Sequence, residues 1–468
     1  MSAQHPPAEN ARWYQGITAY QWTVLVIASL GWVFDVFEGQ VFVASMRDAM
    51  PALLGGVSPD HPLVAQWNDW AFGSFLLGGA LGGVLFGVVA DRIGRSRTMV
   101  ITILFYSLFT CITALAQTPW QIVLLRFFVA MGVGGEWAVA SAMVAEVMPT
   151  RSRPVMSSIF HASSVFGTLM AALVGATVIG NPALGQNAWR WGFAIGALPA
   201  LLTVWVRWKL REPEGWLRAR ERARQDQQAQ TGRVLDLLRP PHLRNTLVGV
   251  SLASIGLVTF WGIHIYGKNA FLRQAQAEAL RAEGVSLRPP QDEQEKNSYE
   301  QKRKEALAKH RGRIKRAEML SMTLNTLGGG LGLVLFGSIA MRWGRRRTFI
   351  FYHLGAFVAV VVLFELLVAR GAPAWALAVM LPVFGFLTLG MHAGYAVYFP
   401  ELYPTRLRST GAGFCFNMGR LATAAAFVLF GLVAVTDETK ALLLSPLYLL
   451  GAAVVLLARE TQGEELPE

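Results

Sequence analysis

Long apolar blocks separated by short polar stretches run through the whole chain. Twelve of them lie near 20–46, 67–90, 98–116, 119–147, 155–180, 189–208, 245–266, 318–341, 348–369, 374–400, 410–435 and 441–458. A helix needs about 20 apolar residues to cross the hydrocarbon of a bilayer. The apolar residues fill each block all round, with no polar face, so the pattern predicts membrane spans and not amphipathic soluble helices. Two polar segments break the rhythm. Lys209 to Arg244, with Arg211, Arg218, Arg220, Arg222 and Arg224, reads as a solvated, partly helical linker between two sets of six. Lys268 to Arg316, between the seventh and eighth spans, is long and charged, and Glu293 to Ala317 has helical composition. It is expected to be a folded helical cap or a solvated mobile loop.

These blocks divide the chain into a tail (1–19), a first six-helix bundle (20–208), the linker (209–244), a second bundle (245–458) carrying the insertion 268–316, and a second tail (459–468). The expected fold is an all-α membrane protein of twelve transmembrane helices in two pseudo-symmetric six-helix bundles. Composition agrees: 53% of residues are hydrophobic and 15% charged, against about a quarter charged in soluble domains. The net charge of +12 would point to nucleic acid in a soluble protein. Here the arginines sit between apolar blocks, where topology explains them, and no nucleic-acid partner is expected.

Orientation follows from those arginines. The loops after odd-numbered spans hold almost none, only Arg47 and Arg370 outside the insertion, whereas those after even-numbered spans hold Arg92, Arg95, Arg97, Arg151, Arg153, Arg342, Arg345, Arg346, Arg347, Arg406 and Arg408. Positive loops stay in the cytoplasm, which puts both termini there. The insertion then lies outside despite its basic excess, since long segments translocate with less regard to charge. Met1 to Thr18 lacks a basic n-region and a cleavage site and is expected to be a short soluble tail. Cys111 and Cys415 lie in apolar stretches and read as small buried hydrophobes. No metal, cofactor, nucleophile or phosphate motif is found, so neither a cofactor nor an enzymatic activity is expected.

The two sets of six are related by an internal repeat. Asp91-Arg-Ile-Gly-Arg-Ser-Arg-Thr98 returns as Met341-Arg-Trp-Gly-Arg-Arg-Arg-Thr348, at an offset of 341 − 91 = 250. Glu146-Val-Met-Pro-Thr-Arg-Ser-Arg153 returns as Glu401-Leu-Tyr-Pro-Thr-Arg-Leu-Arg408, at 401 − 146 = 255. Two motifs recurring in order at nearly one offset indicate duplication, with both halves in the same orientation.

These residues resemble the major facilitator superfamily. Gly87-Val-Val-Ala-Asp-Arg-Ile-Gly-Arg-Ser-Arg97 is similar to its loop between helices two and three, and Gly337 to Arg347 to the degenerate second copy. Arg126-Phe-Phe-Val-Ala-Met-Gly-Val-Gly-Gly-Glu136 resembles helix four of the metabolite:proton and sialate:proton symporters. Pro400 to Gly411 with Asn417-Met-Gly-Arg420 resembles helices ten and eleven of the same branches. Arg459-Glu-Thr-Gln-Gly463 resembles the ending of sugar porters, with two departures. The resemblance implies alternating access, two bundles rocking about a central site.

Candidate chemistry lies in the few ionisable residues inside the spans. Asp35 and Glu38, three apart, share a helix face, and carboxylates at bilayer depth normally face a polar cavity. They are candidates for proton coupling, with Glu136 as a third; a satisfied structural pair is the other reading. Arg126 can pair with Asp35 or Glu38, in an ion pair exchanged by substrate anion or proton, or held permanently. Arg126, Arg420, Asn417 and Tyr395 are candidate substrate contacts. His161, His264 and His392 read as hydrogen-bonded core residues. On the cytoplasmic side Asp91 is expected at the N-terminus of the eleventh helix, near Ser409. Arg95 and Arg97 are expected to pair with Glu146, and Arg345, Arg346 and Arg347 with Glu401. With Arg151 and Arg406 they would form a latch that closes the cytoplasmic face, asymmetric because Met341 replaces the acid. The expected function is proton-coupled uptake of a small organic anion, a carboxylate or acidic sugar, with a neutral sugar or polyol as the alternative and a non-transporting sensor as a third. The expected partners are the solute, protons and the lipid bilayer, the expected working unit is a monomer, and the expected location is the cell (inner or plasma) membrane.

Overall fold

The structure, a computed structural model, describes residues 12–57, 61–179, 181–226, 230–288, 290, 292–431 and 437–468. Parts of the tail (1–11), the linker (227–229), the insertion (289 and 291), the fifth span (180) and the eleventh span (432–435) lie outside the described residues.

Among the described residues, every apolar block is helical over most of its length. We label the span helices α1 (Ala19–Leu53), α2 (Pro62–Ile93), α3 (Arg95–Thr113), α4 (Pro119–Val147), α5 (Arg153–Ile179), α6 (Ala188–Ile195 and Leu202–Lys209), α7 (Leu243–Gly267), α8 (Arg311–Trp343), α9 (Arg345–Val368), α10 (Ala374–Leu402), α11 (Arg408–Gly431) and α12 (Thr439–Leu456). Ten are long and apolar enough to cross a membrane. The other two are α6, broken by a 3₁₀ turn at Leu198–Leu201 that contains Pro199, and the 24-residue α11.

The helix ends follow from local chemistry. Thr18 and Gln21 form a capping box at the start of α1; at α4 the Gln121 side chain accepts from the Thr118 backbone N–H at 3.2 Å, and Pro119 occupies the first turn. Between α2 and α3 the chain reverses through Gly94 at φ 118°, and between α8 and α9 through Gly344 at φ 85°. Only glycine adopts such angles without strain, which is why the repeated motif keeps a glycine there.

Water does not drive helix association inside lipid, so close backbone contact carries the packing. A Cβ on Gly82 would stand 2.0 Å from the Met131 carbonyl oxygen, and one on Gly332 2.4 Å from that of Phe386. The α2–α4 pair and the α8–α10 pair are therefore built alike, 250 residues apart. The halves meet along two corresponding seams, α2 against α11 and α8 against α5.

The polar segments are more ordered than their composition suggests. The linker holds a helix, Glu214–Gln225, and its buried Trp216 donates Nε1–H to the Asp91 carbonyl at 2.9 Å. The insertion forms helices Ala270–Ala282 and Glu293–Lys309, on the face opposite the repeated loops. It is tied down by Lys309 to Glu283 (2.9 Å), His310 to Glu283 (3.0 Å) and Arg313 to Glu278. Hydrogen bonds from Lys309 and His310 hold the Glu283 carboxyl below its usual range. Of the two expectations the folded helical one describes it, and α8 begins already at Arg311.

Candidate functional site

Charged groups converge where α1, α3, α4 and α11 meet. Asp35 and Glu38 are each 1% exposed, but they have different surroundings. Glu38 Oε1 accepts from Arg126 Nη2 and from the Thr110 hydroxyl at 3.1 Å. The Arg126 guanidinium also lies over the Phe42 ring, 4.5 Å from its centroid. Of the two partners the sequence allowed, Arg126 therefore takes Glu38. Its Nε and Nη1, and Glu38 Oε2, have no hydrogen-bond partner among the described residues.

Asp35 is left without a cation in direct contact. The Tyr106 hydroxyl lies against it, with Glu136, Glu38 and Arg420 around it. Arg420 comes from the other half, on α11. Its guanidinium rests on α2 where Gly79 leaves room, since a Cβ there would stand 1.9 Å from Nη1. That Nη1 is also unpartnered among the described residues. Glu136 accepts from the Thr102 hydroxyl at 2.6 Å and abuts Gly31, one turn before Asp35 on α1. The site is therefore an acid pair, Asp35 and Glu136, facing an arginine across the seam, beside a closed ion pair, Glu38 and Arg126.

Other expected contacts are placed differently. Asn417 crosses the seam, with Nδ2 3.5 Å from the Gly134 carbonyl and 2.9 Å from that of Gly413, and its Oδ1 is unpartnered among the described residues. Tyr395 is fully buried, stacks on Phe399 at 5.2 Å and donates to the Leu252 carbonyl at 3.1 Å. That hydrogen bond holds α10 to α7. His161 accepts from Trp137 Nε1 at 3.3 Å under the Trp32 ring. His264 bonds Thr388 at 2.7 Å and Asn325 at 3.1 Å. His392 packs between Phe260 and Tyr395, with Nε2 unpartnered among the described residues. Near the site Trp137 stacks on Phe416 across the seam at 3.9 Å. Towards the insertion face Phe72 meets Trp261 edge-on at 5.2 Å. A crevice of about 690 Å³ between α2, α7, α11 and α12 is lined mostly by apolar side chains and by none of the expected site residues.

The repeated loops make a second charged layer, on the face that carries both tails. Asp91 Oδ1 accepts from Ser409 N at 3.2 Å, and Oδ2 from Thr410 N at 2.9 Å and Oγ1 at 2.6 Å, at the first turn of α11. Arg95 binds Asp91 (3.1 Å), Glu146 (2.7 Å) and, in the other half, the Thr405 carbonyl (2.8 Å). Glu146 also takes Arg408 from the other half at 2.9 Å. In the second copy Arg345 binds Glu401 at 2.6 Å, and Thr461 donates to the same carboxylate. Met341 supplies no acid, and the α8–α5 contact lacks a counterpart of Asp91.

Several arginines depart from expectation. Arg97 is exposed and does not reach Glu146; its backbone N–H goes to Glu212 at 3.3 Å. Arg346 donates to the Leu456 carbonyl, Arg347 is exposed, and neither pairs with Glu401. Arg406 pairs with Asp236 of the linker at 2.7 Å, and Arg151 is exposed. Successive helix residues are about 100° apart, so only the first arginine of each run faces the acid. Sequence reasoning missed Glu212 and Glu460. Glu212 accepts from the backbone N–H of Arg95 and Arg97, Glu460 from those of Arg345 and Arg346, and each carboxylate thereby caps a helix start. The signal was available: Arg211-Glu212 and Arg459-Glu460 recur at 460 − 212 = 248.

Twelve spans in two duplicated halves, joined by a charged seam and a paired loop layer, define a polytopic membrane transporter. The chain is similar to transporters of the major facilitator superfamily. Residues 14–236 match the family described as "Sugar (and other) transporter". A putative metabolite transport protein of Haemophilus influenzae is 27% identical over 96% of this chain and 99% of its own. The cis,cis-muconate transport protein of Acinetobacter baylyi is 28% identical over 77% of each chain. Among solved structures, the proton:xylose symporter XylE of E. coli superposes with a TM-score of 0.72 at 17% identity, covering 96% of this chain and 98% of its own.

Proposed function

We propose that the protein is a secondary active transporter that couples protons to the uptake of a small organic anion, a carboxylate or an acidic sugar, by alternating access. One observation carries the reading: Asp35 is buried, forms no direct ion pair with a described residue, and faces Arg420 of the opposite half. A buried carboxylate without a bonded cation is costly as an anion and takes a proton readily. An arginine with a free donor beside it can bind the solute's carboxylate. Protonating Asp35 frees Arg420 for the anion, and releasing the proton restores their mutual attraction and expels the anion. Glu136 shares the acid site, and Glu38 with Arg126 holds α1 to α4. Similarity to a muconate transport protein supports an organic acid, and similarity to a xylose symporter supports protons as the coupled ion.

In this reading the protein works as a monomer in the cell (inner or plasma) membrane. The face carrying the repeated loops and both tails lies in the cytoplasm, by the distribution of arginines. Asp91, Arg95, Glu146, Arg345, Glu401 and Arg408 close that face. The test is a thermal-shift screen of carboxylates, acidic sugars and neutral sugars on purified protein, since a ligand that binds the folded state raises its melting temperature. An anion should raise it, and Arg420→Gln should abolish the response while the unliganded melting temperature changes little. Stabilisation by a neutral sugar, undiminished in Arg420→Gln, would support the sugar alternative and defeat the anion reading.

A further inference from the structure

The segment Glu464–Glu468 crosses the closed face of the protein, beside a charged cleft of about 710 Å³ between the linker and the two halves. Three sets of contacts fix it. The Pro467 carbonyl accepts from Arg408 Nη2 at 2.6 Å, from Thr405 N at 3.2 Å and from Thr405 Oγ1 at 3.5 Å, all in the second half. The Glu464 carbonyl accepts from Arg153 Nη1 at 3.5 Å, in the first half. The Glu468 carboxylate takes Arg222 at 2.6 Å and Arg218 at 3.8 Å from the linker helix, and the bond from Arg222 holds its carboxyl below the usual range.

Arg408 and Arg153 are 1% and 4% exposed. Arg408 gives its other donors to Glu146, Thr405 and Pro400, and Arg153 gives its own to Ala145 and Thr150. In each guanidinium one nitrogen is served by the tail segment. A buried cationic donor left without an acceptor is unfavourable, so the segment completes the closed arrangement. Arg153 starts α5 and Arg408 starts α11, so they belong to different halves and separate when this face opens. A five-residue segment bonded to both cannot follow both.

We propose that Glu464–Glu468 is a strap that locks this face shut and must release from Arg153, or from Arg408 and Thr405, before the face opens. The inference does not rest on proton coupling or on any particular solute. Spin labels at Arg92→Cys on α2 and Arg342→Cys on α8, with Cys111→Ser to remove the exposed native thiol, report separation of the halves by pulsed electron resonance. Measured without solute or proton gradient, deleting 464–468 should raise the long-distance population by about threefold or more, the scale of losing one or two net hydrogen bonds. Glu468→Arg should act in the same direction, and adding Arg222→Glu should restore the original distribution. If the shortened chain does not fold, the Glu468→Arg and Arg222→Glu pair carries the test alone. A distance distribution unchanged by deletion, or by Glu468→Arg, overturns the strap.

Discussion

Replacing Asp35 with Asn is expected to abolish proton-driven accumulation while sparing solute exchange at equal pH. With one proton moved per solute, a pH difference of two units stores about 2.7 kcal/mol, enough for about a hundredfold accumulation. A chain that moves solute without the proton equilibrates at a ratio of about one. Asn keeps the size of Asp, adds no charge and cannot lose a proton, so packing against Tyr106 and Glu136 is retained. Uptake of a radiolabelled anion into proteoliposomes, with and without an imposed pH difference, measures both quantities. Hundredfold accumulation surviving in Asp35→Asn would remove this residue from the coupling. Glu38→Gln makes a useful contrast. Arg126 would then be a buried cation without its counter-charge, a change that costs about 3–5 kcal/mol. Its main effect should be a loss of stability, and not uncoupling.

The second large effect is expected at Asp91. Its carboxylate makes three bonds to the first turn of α11, across the seam, and a fourth contact to Arg95. Asp91→Ala removes them together and leaves the Ser409 and Thr410 N–H groups without a cap. Charge-assisted bonds of this kind are worth about 1.5–3 kcal/mol each, and a helix cap about 1 kcal/mol. The ratio of open to closed states of the face carrying the repeated loops should rise about tenfold or more, read by the same label pair at 92 and 342, and the transport rate should fall. Asn, a competent cap, should keep most of the closed population, while Met341→Ala at the matching position should change little. Equal effects of Asp91→Ala and Met341→Ala would contradict the asymmetry of the latch.

The contrast between these two positions shows what could be read from the chain. All twelve helices follow from runs of apolar residues, because span length is set by bilayer thickness and needs no tertiary information. The duplication was legible in two motifs and also marks matching contacts, Gly82 on Met131 and Gly332 on Phe386. The placement of Asp91 beside Ser409 was legible because a buried acid and an uncapped helix start each need the other. Rotation about the helix axis was not legible. The sequence allows Arg126 to pair with Asp35 or Glu38, yet the choice of Glu38 depends on how α1 turns relative to α4. The same uncertainty hid which arginine of each run reaches its acid, and hid the burial of the Tyr395 hydroxyl against Leu252. Glu212 and Glu460 lay in segments that look solvated by composition. Their role appears only once the neighbouring helix starts, at Arg95 and Arg345, are seen to lack capping side chains of their own.

In the proposed mechanism, proton and organic anion share one seam between the halves, with Asp35 on one side and Arg420 on the other. The most direct measurement is solute-driven proton movement in proteoliposomes that contain a trapped pH-sensitive dye and start with no pH difference. Adding the transported anion outside should acidify the lumen, and the signal should vanish in Asp35→Asn. Anion uptake that proceeds with no change in lumenal pH would contradict the account.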